Sequence, residues 1–178
     1  MILSSAAFVV ASRLLKQKDT DQTPSEQTFQ HRTLNLDRFF EFKGLDERGR
    51  KRTNIEVKIT EVEITDQVVV QDKTYTSQNE KIFLIVNLEM KNESTKGLNI
   101  FPGDLLRLIV DDNEEKKYAP DLHNNFVLIS PISTKTDRVG FVLNQEFSNL
   151  KLQIGELEGK KEIIEVNFPT VLLALDKD

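Results

Sequence analysis

Cysteine is missing from this 178-residue chain. That absence excludes disulfides, thiolate nucleophiles, zinc–thiolate sites and a lipid-modified cysteine together. Tryptophan is absent as well, and histidine occurs only twice, at His31 and His123. Glycine (7) and proline (5) are too sparse for a low-complexity chain. Neither sign of charge dominates: 24 Lys and Arg stand against 29 Asp and Glu, a formal net charge of -5. A mildly acidic chain has no global pull toward nucleic acid or anionic lipid, so no nucleic-acid partner is expected. No apolar run reaches the ~20 residues that a spanning helix takes.

What is present is ordinary for a folded protein, with 38% hydrophobic and 30% charged residues. The length suits one domain of roughly 100–200 residues plus a tail. A β-rich domain of that size buries a core without covalent staples.

Residues 1–15 (MILSSAAFVVASRLL) form a short apolar segment that ends around Arg13. Three readings stay open for it. It is the end of a membrane anchor whose start lies upstream of Met1, a signal peptide with Val9-Val10-Ala11 as a marginal cleavage site, or a short amphipathic helix. Arg13, Lys16 and Lys18 follow the run, and positive residues favour the cytoplasmic side of a span. Membrane attachment through this segment is therefore expected without a fixed orientation. Residues 16–33 read as a polar flexible linker, since KQKDTDQTPSEQT holds one proline and no apolar pattern. Order is expected from Leu34, with a folded domain over 34–170 and a short tail over 171–178.

From there the period is two. Leu34, Leu36, Phe40 and Phe42 alternate, with Phe39 out of phase, and predict a strand over Leu36–Lys43. Ile55, Val57 and Ile59 share a face, but Val62 and Ile64 continue it one residue out of step. A slip of one residue turns every side chain over, so a β-bulge is predicted near Thr60–Glu61. Val68–Val70 is a short apolar run, and Lys73–Glu80 reads as a polar loop. Lys81–Lys91 is the strongest strand. Ile82, Leu84, Val86, Leu88 and Met90 point one way, while Phe83 and Ile85 point the other. Its first half is apolar on both faces, which predicts a central strand covered from outside at its start.

Leu105–Val110, Phe126–Ile129, Ile132–Thr134, Asp137–Asn144, Leu150–Ile154 and Ile164–Phe168 continue the series. Lys151 and Gln153 are expected on an outer face, and Ala119–Asn125 as a loop. About 8–9 short strands separated by polar turns, with no amphipathic helix between them, predict an all-β antiparallel sandwich. A parallel α/β sheet is excluded in practice, because its crossovers need helices.

No chemistry-bearing motif emerges. There is no phosphate-binding glycine loop, no nucleophile elbow and no zinc-protease helix. Asp111–Glu115 (DDNEE) lacks the alternate acids, central glycine and distant glutamate of a calcium loop, and reads as an exposed turn. His123 has no partner at ligand spacing. Asp46–Arg52 (DERGRKR) reads as a solvated turn around Gly49, because no aromatic interleaves its charges. Asn92-Glu93-Ser94 matches a glycosylation acceptor, a triplet frequent by chance. No catalytic, cofactor-binding or metal residue is predicted, and no enzyme is expected.

Four stretches carry a resemblance: Phe83–Asn92 (FLIVNLEMKN), Pro102–Leu108 (PGDLLRL), Tyr118–Asn124 (YAPDLHN) and Arg138–Phe141 (RVGF). Across residues 54–168 the chain resembles the uncharacterised immunoglobulin-like domains of bacterial and archaeal envelope proteins, similar to a secreted mycobacterial immunoprotective antigen. The resemblance implies an immunoglobulin-like sandwich behind a short N-terminal anchor and a polar linker, with no assigned catalytic residues. This chain departs from the pattern in having no lipoprotein cysteine and a short anchor.

The expectation is a non-enzymatic extracytoplasmic module, on the cell surface or secreted, that binds an unknown protein or envelope polymer. The alternative is a structural sandwich that pairs with itself or another subunit through an edge strand, as a homo-oligomer or subunit partner, with a cytoplasmic location open. A small hydrolase comes third.

Overall fold

In a computed structural model of the chain, the described residues are 8–10, 16–17 and 31–168. The expectations for the rest of segments 1–15 and 16–33, and for the 171–178 tail, lie outside them. Alternating β-branched and aromatic residues give each extended segment one apolar face, which must be buried against another sheet. The chain does this with strands β1 (Phe8–Val10), β2 (Lys16–Gln17), β3 (Arg32–Leu45), β4 (Lys51–Thr65), β5 (Gln67–Val70), β6 (Lys73–Thr76), β7 (Lys81–Asn92) and β8 (Leu98–Ile100). A single helical turn, α1 (Pro102–Leu105), leads into β9 (Leu106–Val110) and β10 (Lys117–Tyr118). Strands β11 (Leu122–Asn124), β12 (Val127–Ile129), β13 (Ser133–Asn144), β14 (Leu150–Ile154) and β15 (Glu162–Glu165) complete the fold.

The large sheet runs β1-β11-β13-β7-β4-β3-β8-β12. A four-stranded sheet, β10-β9-β14-β15, packs on it, and a small sheet joins β2, β6 and β5. One apolar cluster joins the two main sheets, with Ile59, Leu84, Met90 and Phe141 from the first and Leu108, Leu152 and Ile154 from the second. This is the all-β antiparallel sandwich expected from the alternation. It is divided more finely than the pattern suggests, because a strand of two to four residues holds too few alternations to stand out.

The predicted bulge is present. Ile59 pairs with Leu88 and Glu61 with Asn87, which leaves Thr60 extra in β4. The Thr60 hydroxyl donates to the Asn87 carbonyl at 3.2 Å. The neighbouring strand bulges at the same level: from Asn35 to Arg38, β3 advances three residues while β4 advances two. Relative to β7, then, β4 carries one extra residue and β3 carries two. An odd insertion turns the faces over and an even one restores them. That is why the apolar alternation slips in β4 but runs in phase through Leu34, Leu36, Phe40 and Phe42 in β3. Asp37 takes the left-handed conformation the β3 bulge needs (φ 48) and pairs with Lys58 at 2.7 Å.

The outer cover predicted over the start of β7 is the β5–β6 hairpin. Gln71 and Asp72, both at positive φ (49 and 62), close its two-residue turn, a geometry matched to the strand twist. Val68 and Val70 then pack on Phe83, Ile85 and Leu122 in a second cluster. Lys73–Thr76 is thus a strand and not a polar loop. Its threonines and tyrosine favour extended backbone, and its partner supplies the apolar contacts. Likewise Leu122–Asn124 is a short strand within the expected Ala119–Asn125 loop. Gln153, expected outside, is only 7% exposed. It sits on central strand β14, flanked in the ladder by Arg107 and Ile163.

Asp137 lies two residues before Val139 and shares its inward face, opposite Leu88. One carboxylate oxygen accepts from Asn124 Nδ2 at 2.7 Å, and the other is buried without a partner among the described residues. Burial raises its pKa, against smaller lowering effects of the Arg138 backbone N–H and Asn124. The native state therefore holds the proton more tightly than the unfolded chain does. Stability from this group is fully present below the ordinary aspartate value of about 3.9 and is lost as pH rises through the higher native value. Asp137→Asn keeps the acceptor for Asn124 and removes the ionisation. Urea titrations across pH are expected to show a smaller loss of stability above pH about 4 in the variant. An unchanged pH slope would show that this carboxyl is solvated.

Candidate functional site

The two histidines lie apart in structural roles. His31 is exposed beside Thr33 and Glu63, with Nε2 at 3.2 Å from Thr33 Oγ1. His123 stacks its ring over Gly103 so closely that a Cβ there would come within 2.8 Å of the imidazole. Its Nδ1 lies 3.0 Å from the Asn124 carbonyl. Gly103 serves this contact by having no side chain.

The Asp111–Glu115 acids close the β9–β10 connection. The Asp111 carboxylate accepts from the Ser148 backbone N–H at 2.6 Å, and Asp112 bonds Asn149 Nδ2 at 2.7 Å and Lys151 Nζ at 2.6 Å. Lys151 holds the Asp112 pKa down, helped by Asn149. Their oxygens are used by protein donors, as in the expected turn. Among the described residues no three His, Asp or Glu side chains are grouped to hold a metal ion. Asn92 is fully buried, so the glycosylation triplet presents no accessible amide in the folded domain.

A concavity of about 1110 Å³ lies at one end of the sandwich. The β3–β4 loop, the β7–β8 turn and the residues around β12 converge there. Asp46, Glu47, Arg48, Arg50 and Arg52 form one wall, Ser94 to Asn99 the floor, and Phe126, Leu128 and Pro131 the other wall.

Asp46 organises the basic wall. Gly49, at φ 72, allows the tight turn, and the Asp46 and Arg50 backbones bond across it at 3.0 Å. The Asp46 carboxylate accepts the backbone N–H groups of Arg48 and Arg50, each at 2.9 Å. It also accepts Nε of Arg50 at 2.8 Å and Nε of Arg52 at 2.9 Å. The Arg50 backbone N–H, opposed by partial desolvation and joined by the Arg52 guanidinium, holds its pKa far below the usual carboxylate range. The carboxylate thus stays ionised, and both guanidinium groups are held on one side of the loop. Among the described residues, Arg48 and Lys96 have no ion-pair partner.

The apolar wall is open to solvent. Phe126 is 48% exposed and Leu128 is 50% exposed, while Val127 and Ile129 between and beyond them are in the core. Phe101 tilts against Phe126 with ring centroids 6.4 Å apart. The sequence placed DERGRKR in a turn without an interleaved aromatic. Folding supplies the aromatic from about 75 positions away in the chain, and no local pattern announces that. The one local signal is Phe126 alternating with Leu128, in phase opposite to the buried residues.

No protein-family model matches the sequence, and comparison with curated proteins gives no match. Two solved structures are similar to this chain. A conserved hypothetical protein from Bacillus anthracis superposes with a TM-score of 0.50 at 16% identity, over 78% of this chain and 99% of that one. An uncharacterised β-sandwich protein from Clostridium difficile gives a TM-score of 0.46 at 18% identity, over 64% and 85% of the two chains. At such identity the likeness concerns the fold alone. The chain's own sheets define the class, an all-β antiparallel sandwich, and these neighbours are themselves uncharacterised. No helix among the described residues is long and apolar enough to cross a membrane.

Proposed function

We propose that this chain is a non-enzymatic, extracytoplasmic interaction module that binds its partner through the concavity at the β12 end. The observation that carries the reading is the meeting of two solvent-facing surfaces there. Arginines held by Asp46 and half-exposed Phe126 and Leu128 line the same concavity. Arginine and aromatic residues on rigid elements are the anchors that protein-binding surfaces favour. Loop clusters at the end of a sandwich are where such folds carry their contacts. The extracytoplasmic placement rests on the sequence resemblance to envelope domains, in the strands from Phe83 to Phe141.

A photo-crosslinking amino acid at Leu128, with Glu89 on the outer sheet face as control, tests this in the native host. The expected result is a discrete adduct from position 128 and none from 89, with the domain digestible by protease on intact cells. Absence of any adduct would refute the interface, and protection until lysis would refute the placement. An adduct of twice 20.5 kDa would turn the reading to a self-pairing domain.

A further inference from the structure

Resting on that reading of the concavity, we infer that its occupant is an acidic segment of a partner polypeptide. The carboxylates of that segment meet Arg48, Arg50, Arg52 and Lys96, and an apolar side chain covers Phe126 and Leu128. Charge is the first argument. Four cationic side chains line the concavity against the two carboxylates of Asp46 and Glu47, a local net of +2 on a chain whose net charge is -5. The concavity is therefore a positive spot on an acidic protein, and charge complementarity selects anions at this spot.

The second argument is the state of the arginines. Asp46 engages Nε of Arg50 and both Nε and Nη2 of Arg52, and the terminal amino groups of Arg50 have no acceptor among the described residues. A guanidinium already held in place loses little freedom when a second carboxylate binds it, and its planar fork suits a carboxylate. Asp46 also answers part of the arginine charge in the unbound protein, so the loop keeps its shape without a ligand.

The third argument separates a polypeptide from an anionic polymer. A sugar–phosphate chain satisfies the cations and leaves Phe126 and Leu128 wet. A polypeptide supplies both kinds of side chain a few ångströms apart. At about 1110 Å³ the concavity also exceeds the usual few hundred to ~1000 Å³ of a small-molecule pocket. A polypeptide segment fills that volume better than a compact metabolite does.

The test is fluorescence anisotropy of the full chain with a labelled peptide of about eight residues alternating Glu and Leu. Peptides alternating Lys and Leu, or Glu and Ser, are the controls. The Glu–Leu peptide is expected to bind, and to bind more weakly as salt screens the charges. The Arg48→Glu/Lys96→Glu variant is expected to weaken it at least about tenfold, as is Leu128→Asp, with circular dichroism unchanged. All three positions are on the surface, so the fold tolerates them.

Equal binding of the Lys–Leu peptide would overturn the charge argument. Displacement by inorganic polyphosphate, together with a silent Leu128→Asp, would replace the polypeptide with a polyanion. Dimerisation of the chain alone in sedimentation, lost in the Arg48→Glu/Lys96→Glu variant, would make the occupant a second copy. No peptide binding alongside a Leu128 adduct in cells would sink this inference and leave the interaction module standing. Failure of both would sink both.

Discussion

Asn92→Ala is expected to destabilise the domain by about 3 kcal/mol or more, read from urea or thermal unfolding. Asn92 ends β7, and its side chain is fully buried. Its amide nitrogen donates to the carbonyls of Lys96 at 2.8 Å, Ile129 at 3.1 Å and Ser130 at 3.1 Å. Its oxygen accepts the Ser94 backbone N–H at 2.9 Å and the Ser94 hydroxyl at 2.7 Å. One side chain thus satisfies the β7–β8 turn and fastens it to the end of β12. Truncation leaves several of these groups without partners, and each unsatisfied buried group costs about 1–3 kcal/mol, with incomplete additivity. Asn92→Asp is nearly isosteric but turns the donor into an acceptor facing three carbonyls. It is expected to be at least as damaging at neutral pH, which separates hydrogen bonding from lost volume. Ser94→Ala removes one hydroxyl and is expected to cost about 1 kcal/mol. A loss below that value for Asn92→Ala would mean that water replaces the amide.

Phe83→Ala is expected to cost about 3–5 kcal/mol, the range for a buried aromatic truncated to a methyl group. Phe83 has no exposed surface, yet it points away from the main core. What it buries is the contact of β7 with the β5–β6 hairpin through Val68, Val70, Ile85 and Leu122. The loss is therefore expected to be local as well as global. Amide exchange in Gln67–Thr76 is expected to speed up well before exchange in β4 and β13. Phe141→Ala, inside the main core, is expected to cost a similar amount without singling out the hairpin. Equal acceleration everywhere in Phe83→Ala would show that the hairpin is part of the cooperative core. The distinction bears on function only indirectly, since the hairpin's contacts with Phe83, Ile85 and Leu122 leave the concavity at β12 untouched.

Much of the architecture was legible because a period of two is a local signal. The inward sets of β4, β7, β13 and β14 were read from single segments. The bulge at Thr60 was legible for the same reason, as a slip inside one strand. Its companion in β3 was not, because two extra residues restore the phase and leave no trace in the alternation. The short strands β6 and β11 were missed because they hold too few residues to show a period. Alternation carried β7 as far as Lys91, and Asn92 entered only through a glycosylation triplet and a resemblance. Its physical reason, a buried amide serving five partner atoms, depends on Ile129 and Ser130 arriving from 37 and 38 positions away.

The concavity shows the same division most sharply. Asp46–Arg52 read as a solvated turn, and the charges from Glu47 to Arg52 are exposed, while the Asp46 carboxylate is half-buried beneath them. By composition alone the sequence determined the absence of cysteine chemistry, the acidic balance and the alternating strands that demand a sandwich. Those properties follow from residue type and spacing of one to two positions. Only the tertiary structure decided that Asp46 aligns Arg50 and Arg52, and that Phe126 and Leu128 line one concavity with them and Lys96. Sheet pairing joins residues by register and not by nearness in the chain, so a surface made at the meeting of three connections has no local signature.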